Sequence, residues 1–447
     1  QSPEKACVGG SIPSLATTYM KVRYLFSACV EIETPKLRIL CDPWFSEGAF
    51  DGSWYHFPQV KNPISIIKKP DLIYISHIHS DHYDPEFLKK INKKFGKRKI
   101  IIADFKNNYL LKRIKFDKLD AEPIRFLKSK NVNINIVPNE AGGESDIDSA
   151  MIVNHKQHTI LSLVDCVYNK KFASELKKIV SSYTNVLDLL MAPHSGANSF
   201  PHTYFDNLKQ KKILKKLSQN KKSSNFSRYI NWCKLFQSKY HLPYAGKYLI
   251  GGKNIGYNKF YGVADPIEIK KFDKRAIILA DYGGEINLST KKIKGERKKK
   301  YKESKIRKYL SLLKRKKYSY EKEIFVPFQN INFPLLIRKS YIRAMNKSEV
   351  STDYYYLFKL FNNNKDLSFS FQININNKKN TKIYFNKSIN KKPGNAILVD
   401  YRLFYGLLTG IYHWDNASIG SLYKNRREPL LLYNKKASNF LNFFSIV

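Results

Sequence analysis

The run from Leu72 to His82, LIYISHIHSDH, constrains this chain more than any other segment. Leu72–Ser76 is nearly continuous in apolar residues, as expected of a strand buried on both faces. Asp84-Pro85 follows, supplying a helix N-cap and a proline at the first helical position. Phe87, Leu88 and Ile91 then repeat at helical spacing, so the segment reads as strand, polar turn, helix. The turn itself is His77-x-His79-x-Asp81-His82. Two histidines two apart at a strand end can point to one side and grip one metal ion, and the adjacent Asp-His pair can serve a second. Imidazole and carboxylate donors without cysteine suit zinc, iron or manganese. A lone histidine is usually a satisfied polar residue. Three of the chain's 10 histidines sharing one such turn with an aspartate read as a metal site.

The flanking sequence supports a layered α/β domain. Met20–Ala28, Leu37–Cys41, Lys99–Ile102, Val132–Val137, Met151–Asn154, Thr159–Val164 and Val186–Met191 read as strands, and Lys171–Ser181 as a helix. Lys291–Lys317 is densely basic, with Ile306, Tyr309, Leu310 and Leu313 on one helical face, and suits a surface helix between domains or a contact with an anionic surface. Leu367–Ile375 alternates strictly and pairs with Lys382–Phe385 as a hairpin with one buried face. The aromatic-rich tail Ala396–Val447 is expected to pack as helices and short loops. The expected division is an N-terminal extension over 1–19, a metal-binding domain over 20–285, a basic linker or helix over 286–318 and a smaller α+β domain over 319–447.

Charge enters here as a question about partners. Of the 447 residues, 79 are Lys or Arg and 37 Asp or Glu, a formal charge of +42. Nucleic acid or an anionic membrane would attract such a chain. However, Lys, Asn, Ile, Tyr and Phe are abundant together, and the charge concentrates at Lys291–Lys317, away from the histidine motif, so much of it reads as compositional background. No run of about 18 apolar residues occurs, so no transmembrane helix is expected. Gln1–Gly10 lacks the pattern of a signal peptide. The 5 cysteines (Cys7, Cys29, Cys41, Cys166, Cys233) form no CxxC and no Cys-x-His pair. That argues against a disulfide framework, a zinc ribbon and an in-chain Rieske cluster, and points to a reducing compartment. The expected location is cytoplasmic, with peripheral membrane association left open.

The HxHxDH motif resembles the metallo-β-lactamase superfamily, which implies a four-layer αββα sandwich with one or two metal ions. The resemblance places a bridging carboxylate at Asp165, just after the strand Thr159–Val164. PDLIYISHIHSDHYDPEFLKKI, IDSAMIVNHKQHTILSLVDC, SGANSFPHTY, LPYAG and the tail blocks WDNASIG, REPLLLYN and FLNFF together resemble the CMP-N-acetylneuraminate hydroxylase family. This similarity runs from about Met20 to the C-terminus, with divergent stretches around 205–240 and 285–365. It implies a sugar-nucleotide or glycan-linked substrate and hydroxylation of an N-acyl group. It also places Glu144 where the family carries a histidine.

The implied ligand set is His77, His79 and Glu144 on one metal, Asp81 and His82 on a second, and Asp165 between them, with Asp81 and Asp165 as the catalytic carboxylates. The metal is expected to be iron or zinc. Iron would need electrons from a separate transfer protein, whereas zinc would activate water for hydrolysis of an ester, amide or phosphoester. Asp42, in a loop that the resemblance places beside the mouth of the site, is expected to orient a ligand histidine or to cap a turn, and is a further substrate-contact candidate. His194, Ser195, Asn198, His202 and Tyr204 are substrate-contact candidates in the loop after Val186–Met191. His155 and His158 read as surface residues, His241 as a surface residue rather than the final metal histidine the resemblance allows, and Arg426, Arg427 and Glu428 as structural rather than phosphate-pairing. The competing classes are a basic scaffold or membrane-associated accessory protein with a structural metal, and a nucleic-acid-processing enzyme. The blocks outside the motif speak against nucleic acid.

Overall fold

The computed structural model describes residues 19–140, 148–348, 352–363, 365–375, 383–386 and 393–447. The N-terminal extension, with Cys7, and the loop carrying Glu144 lie outside the described residues. Two sheets face one another across the main core. The first has eight strands, in the order Lys292–Lys294, Glu285–Asn287, Lys21–Phe26, Cys29–Glu33, Arg38–Cys41, Leu72–Ile75, Lys99–Ala103 and Glu122–Ile124. It is antiparallel up to Arg38–Cys41 and parallel beyond it. The second has six strands, in the order Ser238–Tyr244, Leu187–Pro193, His158–Ser162, Asp148–His155, Val132–Asn139 and Phe126–Ser129.

Alternation along each strand divides its side chains between layers. Tyr74 and Ile101 face the inter-sheet core, where they join Ile134, Met151, Val153, Leu189 and Met191. Ile73, Ile75, Ile100 and Ile102 face outward and are covered by Phe87, Leu88, Ile91, Leu110 and Ile114. These come from the helices Pro85–Phe95 and Tyr109–Phe116. The second sheet is covered in the same way by Phe172, Leu176, Tyr229 and Trp232, from Lys170–Ser181 and Lys211–Leu235. The result is the four-layer αββα sandwich expected of the motif. Asp84 caps Pro85–Phe95 by accepting from the Phe87 amide at 2.9 Å, and it also accepts from the Phe45 and Ser46 amides. One carboxylate therefore fixes both the helix start and the loop after Cys41.

A second core lies beyond residue 313. Its sheet runs Ile383–Phe385, Lys365–Asn374, Tyr355–Asn362, Gly394–Asp400 and Lys424–Glu428. The Leu367–Ile375 hairpin is present. The tail differs from expectation, because Gly394–Asp400 and Lys424–Glu428 are strands of this sheet. The β-branched Ile397 and Val399 are fully buried there. The basic stretch contributes the helix Glu303–Leu313, whose Ile306, Tyr309, Leu310 and Leu313 pack on Tyr55 and Leu249. Among the described residues no helix is long and apolar enough to cross a membrane.

One buried group couples this packing to pH. His56 stacks on Phe26 at 4.0 Å and meets Trp44 edge-on. Burial, reinforced by the Lys247 charge, pushes its pKa down to about 3. The unfolded chain takes up a proton near pH 6.5, whereas the folded chain does so only near pH 3. Stability present above pH 6.5 is therefore lost as the pH falls toward 3. Chemical denaturation from pH 7 to 4 should show this loss, on the order of 3–5 kcal/mol at full expression. His56→Phe should flatten the slope.

Candidate active site

The strand Leu72–Ile75 ends at the rim of the sandwich, and the chain turns there through Ser76 to Asp84. The turn is tied down from several sides. Asp42, at the end of the neighbouring strand and with φ of 41°, accepts from the Ser76 amide at 2.8 Å and the Ser76 hydroxyl at 2.7 Å. The Ser149 hydroxyl donates to the Ser76 carbonyl at 2.7 Å from the opposing sheet. Ser80 accepts from the Phe50 amide.

The histidines converge in consequence. His77 Nε2 lies 2.8 Å from His79 Nδ1, and the His77 and His82 rings are 4.0 Å apart. His82 Nε2 lies 3.4 Å from Asp165 Oδ2 and 3.5 Å from Asp81 Oδ2. Its Nδ1 is 3.0 Å from Asp42 Oδ2. One ligating atom from each of His77, His82 and Asp165 falls within 4.8 Å of the others. His82 Nε2 is buried with no hydrogen-bond partner, although a buried nitrogen normally has one. A cation among His77, His82 and Asp165 would satisfy it, and the all-imidazole-and-carboxylate donor set fits zinc or iron.

The electrostatics agree with that fit. Burial and the neighbouring charges of His82 and His79 hold His77 well below the usual histidine pKa, so it stays neutral and able to ligate. Burial opposes charge on His82, but Asp81, Asp42 and Asp165 outweigh it and raise its pKa. Burial likewise opposes ionisation of Asp165, but the close approach of His82 and the charges of His79 and Arg228 keep its pKa low.

A cavity of about 1090 Å³ opens over these groups. His77, His79, Asp81, Asp148 and Asp165 form its floor, and Ser195, Asn198 and Tyr204 line one side. The buried Ser195 hydroxyl has no partner. Gly246, with φ of 83°, lets the chain pass Ser195; a Cβ there would come within 2.7 Å of Ser195 Cβ. Arg228, from Lys211–Leu235, reaches the cavity where Gly196 leaves room: a Cβ on Gly196 would sit 2.8 Å from Arg228 Nη2. The far wall belongs to the C-terminal unit, with Tyr354, Tyr356, Asp415, Tyr423 and Arg427. Arg427 donates to the Tyr204 hydroxyl at 2.8 Å and stacks over that ring.

Several expectations need correction. Asp42 is buried and does not line the cavity, so it is no substrate contact, whereas its expected role of orienting a ligand histidine agrees with its hold on His82. His194 is buried with each ring nitrogen 3.2 Å from a backbone carbonyl, Tyr244 and Ala264, and does not line the cavity. His202 is fully buried against the Ser421 hydroxyl at 2.7 Å and also lies off the lining. His155, His158 and His241 are buried rather than on the surface. His241 pairs with Asp273 at 2.6 Å, and Asp273 also accepts from Tyr229. Arg427, read as structural, lines the cavity. The sequence reading missed Arg228, Asp148 and Asp415. Their only signals were position in Lys211–Leu235, in the IDSAMIV block and in the WDNASIG block.

Sequence comparison with a family model agrees with this architecture. Residues 21–210 match the family model described as a beta-lactamase superfamily domain. The cytidine monophosphate-N-acetylneuraminic acid hydroxylase of Danio rerio is 25% identical over 230 residues, 50% of this chain and 37% of that protein. The hydroxylase of Cricetulus griseus is 24% identical over 274 residues, 58% and 46% of the two chains. The match therefore spans less than half the length of either relative. Among solved structures, Igni18, a metallo hydrolase from the archaeon Ignicoccus hospitalis, is 12% identical with a TM-score of 0.42, over 60% of this chain and 98% of that one.

Proposed function

We propose that this chain, which carries a beta-lactamase superfamily domain, is a metal-dependent enzyme acting on a sugar nucleotide or glycan-linked sugar. The observation that carries the reading is the convergence of His77, His82 and Asp165 beneath the large cavity. Similarity to the hydroxylases supports N-acyl hydroxylation as the reaction, with electrons supplied by a separate protein. His77, His79, His82, Asp81 and Asp165 would hold one or two divalent ions. Bound iron would supply oxygen activation, and bound zinc a more acidic water.

The chain's own residues do the rest. Asp42 keeps the His82 imidazole oriented through Nδ1, leaving Nε2 toward Asp81 and Asp165. Asp81 and Asp165 set a negative field beside His82. Arg228 and Arg427 place positive charge on two sides of the cavity, which suits a phosphate or carboxylate on the substrate. Ser195 presents an unpaired hydroxyl for a sugar oxygen. The second reading is a zinc-dependent hydrolase, supported by the donor set His77, His82 and Asp165, which suits zinc as well as iron.

Elemental analysis of protein purified without added metal, followed by turnover assays, tests both. Iron with oxygen- and reductant-dependent conversion of CMP-N-acetylneuraminate supports hydroxylation. Zinc with hydrolytic turnover supports the second reading. Protein that takes up neither ion overturns both.

A further inference from the structure

We infer that Asp415, carried by the C-terminal unit, is a positioning residue of the metal centre. It fixes the ring of His79 so that Nδ1 faces His77. The inference rests on a metal being held at the histidine turn. The two residues are 336 positions apart, yet His79 Nε2 and Asp415 Oδ2 meet at 2.9 Å. The other nitrogen, Nδ1, faces His77 Nε2 at 2.8 Å, on the cavity side. An imidazole with a carboxylate on one nitrogen carries its proton there and presents a lone pair on the other. The pair therefore sets the tautomer of His79, as carboxylate partners of metal-bound histidines generally do.

Asp415 is itself well placed for this. It lies in the first turn of the helix Trp414–Ile419, whose N-cap is His413. Trp414 is buried in the C-terminal core and donates from its indole to the Phe444 carbonyl at 2.9 Å. The segment is also tied to the sandwich, since Ser53 Oγ donates to the Gly420 carbonyl at 2.6 Å and Ser199 Oγ lies 3.2 Å from Ser418 Oγ. The carboxylate is thus delivered by a packed element, and the C-terminal unit completes the surroundings of the metal.

The test is titration of the metal-free full-length chain with Co²⁺, followed by visible absorption, and with Zn²⁺ by calorimetry. Asp415→Asn should weaken binding about 10- to 100-fold and alter the Co²⁺ spectrum, with the metal-free melting temperature unchanged. Asp415→Glu should restore part of the affinity. Selective ¹⁵N-histidine NMR of the Zn²⁺-loaded wild type needs no variant, and should show His79 metal-bound through Nδ1 and protonated at Nε2. Wild-type affinity and spectrum in Asp415→Asn, or ligation through Nε2, would overturn the role of Asp415. A wild type that binds neither ion would instead overturn the metal reading beneath it.

Discussion

Replacing Asp165 with alanine should lower turnover on the order of 10³-fold or more and remove metal binding in proportion. The carboxylate stands 3.4 Å from His82 Nε2, and it comes from the opposite sheet to the histidine turn. Removing it leaves His82 Nε2 buried with one fewer anionic neighbour and opens the donor set that spans the two sheets. Stability of the metal-free chain should fall, because the surrounding positive groups outweigh burial and hold Asp165 ionised, and removing it strips that partner from the buried His82. Activity with metal content, and chemical denaturation with chelator, measure the two effects separately. Unchanged metal content in Asp165→Ala would remove Asp165 from the donor set.

Asp42→Ala should act on stability, lowering it by about 3–5 kcal/mol. Asp42 serves three donors, the Ser76 amide, the Ser76 hydroxyl and His82 Nδ1, in a site that is 1% exposed. Alanine leaves all three without that partner in the interior, the costly case for a buried polar network. Asp42→Asn separates fold from tautomer. If its carbonyl faces the Ser76 amide, its NH₂ faces His82 Nδ1 and donates to it. The His82 proton then moves to Nε2, the nitrogen that faces Asp81 and Asp165. The asparagine variant should therefore fold with a smaller loss, below about 2 kcal/mol, yet bind metal poorly. Urea denaturation and Zn²⁺ calorimetry on both variants check this. Metal binding at wild-type strength in Asp42→Asn would rule out the tautomer argument.

The histidine turn was legible because its donors are contiguous and a buried strand delivers them to one rim. Asp165 was legible through the resemblance, which asks for a carboxylate just after an apolar strand. The misread histidines share one physical cause. Strands between two covered layers have no solvent face, so His155, His158 and His241 are buried and answer to local partners such as Asp273. His194 and His202 sit in a rim loop that threads under the surface, where sequence alone gives no direction to the side chain. Arg228 and Asp415 were out of reach for another reason. Nothing local in Lys211–Leu235 or WDNASIG marks a residue as facing a cavity floor built more than 60 positions away. The strand Gly394–Asp400 did carry a signal, the apolar run Ala396–Val399, obscured by the aromatic residues around it.

The seam between the two cores also makes the metal centre a reporter of assembly. The Asn425 amide donates to the Thr203 carbonyl at 3.0 Å, and Asn254 donates to the Ser421 carbonyl at 2.8 Å, so backbone groups of each unit complete the other. Separating the units would leave those groups without partners, remove a cavity wall and free His79 from Asp415 in one event. A denaturant titration followed at a bound Co²⁺ chromophore and by far-ultraviolet circular dichroism should then trace a single curve, the two probes losing signal together.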